Sequence, residues 1–398
     1  MCKERLDKIS KIYQMRRFLL RNERLVLKVL AAAGICTLLA ITLWPFNPWP
    51  RNEVSWFHDE GGLRLCRHGT ILSVAQFSNE AVGENEPFSL EFWMVPWRDE
   101  GSTAMFAFYA PENPGQLVVR QEGLDVSVSH TASEREGKNP HPLVARQVIA
   151  PNKRTLVTVT AGPKGSTLYV NGQAQSTSQS FGLSRKNLTG EFVIGTSPVE
   201  NEPWCGILRG IAIYQNELTA QEVASHYKMW LSNRKDSTID KGSVSALYLF
   251  RERSGTLVRN EIQPGVDLRI PRQYMIWKRN VMLPPWKEFR PEWTYVRDLI
   301  WNVLGFIPLG LILYPYFQVA LGSKRPQLMS YLTGAVLSLV IEILQSFLPF
   351  RGSGWTDVIT NSAGTALGAS MYYSSVAQAI LKKLFGEKLP KGSSDGPC

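Results

Sequence analysis

The sequence predicts a mixed fold: four membrane-crossing helices, with an all-β sandwich inserted between the first and the second. Three observations carry this expectation. Four apolar runs, Val29–Phe46, Leu299–Leu321, Leu328–Phe350 and Val358–Ile380, are long enough to cross a bilayer, and Glu342 is the only charged side chain in them. The ~250 residues between the first two runs are polar, show an apolar period of two and contain nothing long enough to span. Positive charge gathers in the segments that four crossings would place on one side of the membrane.

The charge pattern also sets orientation. Residues 1–28 hold nine Lys or Arg against three acids, the link Gly322–Gln327 carries Lys324 and Arg325, and the tail after Ile380 has four Lys against two acids. By the positive-inside rule these segments are cytoplasmic, and both termini return to that side. The middle region is nearly neutral, so the net charge of +10 reports orientation and contact with anionic lipid, and nucleic-acid binding is excluded. The first run ends in WPF, is followed by NPWP and lacks a small-x-small cleavage site, which reads as a retained anchor with Trp44 and Trp49 at the outer interface.

From Asn52 onward, FSLEFWMVPW, AMFAFYA, QLVVRQ, LDVSVS, RTLVTVTA, STLYVNG and EFVIG are short, β-branched or aromatic runs separated by Gly, Pro, Asn or Ser. Such strands bury one face each when two antiparallel sheets pack together. One helix is expected over Thr219–Trp230, opened by a capping box of Thr219 and Glu222. Cys66 and Cys205 are the two cysteines of the exported region. An oxidising compartment lets them pair and close a loop of ~140 residues, and burial as two free thiols is the competing reading.

PFSLEFWMVPW (87–97), TLYVNGQAQ (167–175), FVIGTS (192–197) and GILRGIAIYQNELTAQEVASHY (206–227) resemble, in order, the laminin-G-like, concanavalin A-like jelly rolls of cell surfaces. The resemblance implies a binding module for carbohydrate or protein, in some members with calcium at the sandwich rim. Asp59, Glu60 and Asp125 are scattered oxygen donors without calcium-loop spacing, so a metal site stays undefined, and no cofactor is expected. The E-x-D-x-x-E strand that would hold two carboxylates for retaining glycoside hydrolysis is missing, and EREGK at 134–138 falls in a polar loop. Trp97, Phe108 and Tyr109 could stack on a sugar ring, although sandwich cores use the same residue types.

Leu247–Pro271 again looks like opening jelly-roll strands, either late strands of the same sandwich or the start of a truncated repeat. Next, YMIWKRNVMLPPWKEFRPEW mixes basic and aromatic side chains, with Trp277, Trp286 and Trp293 suited to a membrane interface.

In the third run Glu342 sits about 12 Å below Phe350 if the helix extends that far, with Gln345 on the same face. Asn302 and Asn361 enter the outer ends of the second and fourth runs, and Asp357 lies one turn above Asn361. A carboxylate in hydrocarbon is costly, so Glu342 is expected inward, protonated or paired with Arg351, Asn302 or Asn361. Pro308 should kink the second helix around this cluster, and Gly364 and Gly368 should let the fourth helix approach a neighbour closely.

NVLGFIPLG (302–310), IEILQSFLPFR (341–351) and DVITNSAGTALG (357–368), together with LWPFNPWP after the first run, resemble the VanZ-like membrane family, named for a protein associated with resistance to the glycopeptide antibiotic teicoplanin. By that resemblance Asn302, Pro308, Glu342, Gln345, Arg351, Asp357 and Asn361 occupy the family's polar positions. Members usually have a modest link between their first two helices, where this chain has the sandwich.

The predicted organisation is a basic cytoplasmic tail (1–28), the first transmembrane helix (29–46), a laminin-G-like jelly roll (52–230), late strands and an interfacial linker (231–294), VanZ-like helices two to four (295–381) and a cytoplasmic tail (382–398). The expected function is recognition of an envelope glycan, glycolipid or surface protein by a protein of the bacterial cytoplasmic membrane, whose outer-leaflet polar cluster holds a lipid headgroup or stabilises the bundle. Its partners are then the lipid bilayer and that envelope ligand. A membrane-embedded enzyme using Glu342 or Asp357 on a lipid-linked or cell-wall substrate is the alternative, and a structural subunit of an envelope complex is a third. No catalytic residue is assigned, because the sequence offers no nucleophile–base pair.

Overall fold

A computed structural model describes residues 22–58, 61–78, 86–98, 101–130, 141–197, 203–232, 242–262, 265–275, 281–289, 291, 293–349 and 351–372. The chain divides into two compact units, Trp49–Lys278 and a discontinuous unit of Met1–Pro48 with Arg279–Cys398. Both expected cytoplasmic tails fall largely or wholly outside the described residues, as do Asp59, Glu60, Trp277 and the stretch 134–138.

The first helix is α1 (Glu23–Leu43). The strands that follow are β1 (Ser55–Trp56), β2 (Leu63–Leu65), β3 (Ile71–Ser73), β4 (Phe88–Pro96), β5 (Ser102–Ala110), β6 (Asn113–Glu122), β7 (Asp125–Ser129) and β8 (Leu143–Ala145). Then come β9 (Thr155–Gly162), β10 (Gly165–Val170), β11 (Gln173–Ser178), β12 (Glu191–Ile194), β13 (Gly206–Tyr214), helix α2 (Ala220–Leu231), β14 (Val244–Tyr248), β15 (Leu257–Val258) and β16 (Leu268–Arg269). They form two eight-stranded sheets. One runs β1-β2-β13-β4-β9-β10-β11 with β14 also on β13, and the other runs β15-β16-β3-β12-β5-β6-β7-β8.

Alternation along each strand builds the core. Phe88, Leu90, Phe92 and Met94 of β4 face the opposite sheet, where Phe92 meets Phe106 at 4.5 Å and Phe108 stacks on Phe192 at 4.5 Å. Trp93 points the other way, where α2 covers the sheet and Trp230 stacks on it at 5.7 Å. The capping box closes as expected, with the Thr219 amide donating to Glu222 Oε2 at 2.7 Å and the Glu222 amide donating to Thr219 Oγ1 at 3.3 Å.

The late strands belong to this same sandwich. β14 pairs with β13 and β16 with β3, so 244–269 completes both sheets and starts no repeat. Entry and exit meet: the Tyr274 amide donates to Pro50 O at 3.0 Å, Arg51 bridges Gln273, and the Asn52 side chain donates to Pro271 O at 2.9 Å. Cys66 and Cys205 are joined in a disulfide.

The helical unit holds α1, a short α3 (Pro285–Glu288), α4 (Trp293–Pro315) ending in a π turn (Tyr316–Ala320), α5 (Pro326–Gln345) and α6 (Trp355–Met371). Three of these segments, Glu23–Leu43, Trp293–Ala320 and Pro326–Gln345, are long and apolar enough to cross a membrane. Several helix ends differ from the sequence expectation, with α4 beginning at Trp293 rather than Leu299 and α6 at Trp355 rather than Val358. α1 begins at Glu23, because Leu25, Val26 and Leu27 extend the apolar run while Arg24 and Lys28 can reach outward along their stems. α5 stops at Gln345, because Pro349 cannot continue a helix and the Ser346 amide and hydroxyl satisfy the last carbonyls. For the fourth run, Val358–Ile380, the described helix reaches Met371, and residues 373–380 lie outside the described set.

Glycines set the packing of α6. A Cβ on Gly364 would lie 2.3 Å from Val303 O, one on Gly368 2.1 Å from Ile307 O, and one on Gly310 2.1 Å from Thr365 O. Backbone therefore meets backbone along α4 and α6, as small-residue steps allow.

Candidate functional site

The first turn of α6 gathers the polar groups. A helix start leaves amides without an intrahelical acceptor, and those that are buried must find one in the protein. Glu342, 2% exposed, accepts the Gly354 amide through Oε2 at 3.0 Å. Leu283 O accepts the Trp355 amide at 3.0 Å, and Glu288 Oε2 accepts the Thr356 amide at 3.0 Å and the Thr356 hydroxyl. Asp357, also in this turn, accepts from Asn302 Nδ2 at 2.7 Å. Two side-chain acceptors and a strand-like carbonyl thus cap the helix, and its positive end favours the carboxylates.

This arrangement corrects the expected pairing of Glu342. Its hydrogen bond goes to a backbone amide, because the early end of α5 brings Glu342 within one turn of the loop into α6. Asn302 is taken by Asp357, and Asn361 donates to Ser338 Oγ at 2.9 Å. Arg351 is exposed and acts on Glu342 through its charge, without a direct ion-pair contact among the described residues. Gln345 faces a different neighbour, donating to Thr42 O of α1 at 3.0 Å. Pro308 does not join the cluster: it is exposed, and α4 runs on through it.

Glu288 was missed from the sequence. It sits on α3, in a strap whose Leu283 amide donates to Ser353 O at 2.9 Å and whose Met282 amide donates to Ser353 Oγ at 3.3 Å. The available signal was LPPWKE, with a proline at the first helical position and an acid at its end, inside a basic, aromatic stretch. Trp286 and Trp293 flank it at 78% and 72% exposure, as suits an interface. Gly354 lets the strap close, since a Cβ there would overlap the Glu288 carboxylate.

In the sandwich, Phe108 is core and unavailable for stacking on a sugar. Trp97 is half-buried under the Arg64 guanidinium at 5.2 Å, and Arg64 and Arg209 also lie over Phe57. Tyr109 is half-buried at the β5–β12 pairing. Asp125 Oδ1 accepts the Gln147 amide at 2.8 Å, which fixes a loop. Among the described residues no group of three or more His, Cys, Asp or Glu is arranged to hold a metal ion.

A cleft of about 220 Å³ opens between the sheet ends, lined by Phe77, Arg185, Leu188, Tyr214 and Val266 among others. Arg185 anchors it by donating to Gln215 O at 2.7 Å, with Glu86 Oε2 at 3.9 Å. Beneath α2 lies a buried network the sequence did not reveal. Glu91, fully buried on β4, accepts the Tyr214 hydroxyl at 2.9 Å and meets His226 Nδ1 at 3.0 Å. Burial works against a charged His226, yet the Glu91 hydrogen bond and the charges of Glu91 and Glu222 outweigh it and raise the imidazole above its ordinary value. Burial first, then Glu91, pushes the Tyr214 hydroxyl up as well. The network ties α2 to the sheet.

Residues 72–224 match the family model of the concanavalin A-like lectin/glucanases superfamily, and residues 242–379 match that of VanZ/LLP1. The second match takes in β14 to β16, which complete the sandwich. Protein VanZ of Enterococcus faecium is 39% identical over 88 residues, 22% of this chain and 52% of its own length, so the chain spans about half of that relative. Among solved structures, the heptameric SAP-like pentraxin from Limulus polyphemus gives a TM-score of 0.34 at 12% identity, covering 55% of this chain and 94% of that one. The sialidase CBM40 of Ruminococcus gnavus bound to α2,3-sialyllactose gives 0.34 at 13% identity, covering 42% and 96%. The binding domain of botulinum neurotoxin DC in complex with SialylT gives 0.34 at 14% identity, covering 45% of each chain. The chain joins a concanavalin A-like sandwich to a VanZ-like helical unit.

Proposed function

We propose that the chain is a multi-pass protein of the bacterial cytoplasmic membrane, with both termini cytoplasmic and the sandwich outside, where it recognises an envelope glycan or glycolipid. One observation carries the reading. A disulfide-bonded sandwich, held by Cys66–Cys205, is inserted between the first and second apolar helices of a VanZ-like unit. Structural disulfides persist in oxidising compartments, which supports placing the inserted unit outside.

Recognition fits better than hydrolysis. The superfamily takes in lectins and glucanases, and the paired-carboxylate strand of the glucanase type is missing from this sequence. The rim cleft at Arg185 is of a size for one sugar unit and mixes apolar side chains such as Phe77 and Leu188 with the polar Ser78, Gln215 and Ser245. The cluster at the start of α6 acts as a lock in this reading. Its carboxylates are engaged as helix caps and side-chain acceptors, which supports a structural role over proton transfer.

Cysteine accessibility tests the orientation. In intact cells, single cysteines placed at Ser129 and Gly352 should react with an impermeant maleimide, and those at Lys8, Ser323 and Lys391 only after permeabilisation. Labelling of position 352 from the cytoplasmic side alone would overturn the topology. Full-length protein in nanodiscs, probed on an array of envelope glycans, should show selective binding that Arg185→Ala removes, and no binding to any envelope glycan would overturn the recognition reading.

A further inference from the structure

At the other end of the bundle a groove of about 530 Å³ opens between α5 and α6, lined by Lys324, Arg325, Gln327, Leu328, Tyr331 and Ala366. Bonds on both sides hold its shape. The Ser323 amide donates to Phe317 O at 2.8 Å and the Arg325 amide to Ser323 Oγ at 3.2 Å, which fixes the loop carrying the two cations. Gln327 Nε2 donates to Ser370 Oγ at 3.0 Å, tying α5 to α6 across the groove's end.

Two features give the groove a polar head and an apolar body. Lys324 and Arg325 are exposed, neither has an ion-pair partner among the described residues, and no acid lines the groove. Beside them α5 starts without a side-chain cap, Pro326 takes the first position, and the Gln327 and Leu328 amides precede the first helical bond, Met329 N–H to Arg325 O. One turn along, Leu328 and Tyr331 are each 42% exposed over the small Ala366. A free anion would use only the head.

We propose that this groove holds one anionic glycerophospholipid, its phosphate at Lys324 and Arg325 and an acyl chain along Leu328, Tyr331 and Ala366. The assignment rests on the membrane reading above and adds a specific site to it. Charge complementarity selects the occupant, because paired cations at a membrane surface favour anionic over zwitterionic headgroups.

Native mass spectrometry of the full-length protein, exchanged into micelles of equal phosphatidylglycerol and phosphatidylcholine, provides the test. The native chain should retain phosphatidylglycerol about tenfold over phosphatidylcholine. Lys324→Gln/Arg325→Gln should bring the ratio near one, while the charge-preserving Lys324→Arg/Arg325→Lys keeps it. Ala366→Leu, which fills the groove and leaves both cations, should lower retention several-fold. Millimolar inorganic phosphate should leave the lipid in place. Equal retention of the two lipids by the native chain, an unchanged ratio in the glutamine pair, or displacement by phosphate would each overturn the site. Release of the chain from native membranes by alkaline carbonate would refute the membrane reading itself, whereas an integral chain with no lipid preference refutes only the groove.

Discussion

Glu342 is the residue on which the reading of the helical unit depends, and two substitutions separate its roles. Glu342→Ala removes the acceptor 3.0 Å from the Gly354 amide and leaves that amide buried. An unsatisfied buried donor costs about 1–3 kcal/mol, and the void left by the carboxylate adds to it. Glu342→Gln keeps an acceptor oxygen in the same place and gives up at most the carboxyl group's interaction with the positive end of α6, worth about 0.3–1 kcal/mol. Alanine should therefore destabilise the bundle at least about threefold more than glutamine. Unfolding of the full chain in mild detergent, followed by far-ultraviolet circular dichroism against rising dodecyl sulfate, measures both. Equal loss in the two variants, or an alanine variant as stable as the native chain, would refute the capping role. A glutamine variant of native stability that lost the protein's cellular phenotype would point instead to proton exchange at Glu342.

Gly364→Ala and Gly368→Ala should each destabilise the same transition by at least about 2 kcal/mol, since their Cβ atoms would sit 2.3 and 2.1 Å from carbonyl oxygens of α4. Gly305→Ala, with nothing within 4 Å of its Cβ, should be neutral to slightly stabilising and serves as the control. In the sandwich, the raised folded value of His226 means that the Glu91–His226 pair contributes its full stability below the unfolded value of 6.5 and loses it as pH rises through the folded one. Thermal melts from pH 5.5 to 8.5 should show the native chain losing stability relative to His226→Gln as pH increases, and parallel curves would contradict the assignment.

Much of the architecture was legible because its signals are local and periodic. Alternation in FSLEFWMVPW placed Phe88, Leu90 and Phe92 on one face, and Thr219 with Glu222 marked the start of a helix that forms one residue on. Gly364 and Gly368 announced a close helix approach. The partners of the polar groups were not legible. Glu342 bonds a backbone amide, and no side-chain inventory displays one. Glu288 comes from a stretch that reads as a linker until its carboxylate is seen on Thr356. Glu91 lies between Leu90 and Phe92 on an alternating strand, and only α2, laid over its face, makes it a buried partner for His226 and Tyr214. In each case the missing information was which distant segment covers a given face.

The ends of the sandwich explain how a VanZ-like unit can carry so large an insertion. Pro50 and Tyr274 share a backbone hydrogen bond, and Arg51 pairs with Gln273, so the inserted unit begins and ends at one place. Domains whose termini lie together can be accepted in a surface link without displacing the elements on either side. The helical unit then keeps its own closure, with its cluster satisfied from within by Glu288, Leu283, Glu342 and Asn302. The Oδ1 of Asn361 is the loose end there, a buried acceptor with no hydrogen-bond donor among the described residues. An acceptor amide can hold a water or a hydroxyl, but it supplies neither a nucleophile nor a proton. The chemistry available at that position is recognition or packing, in keeping with the proposed structural lock.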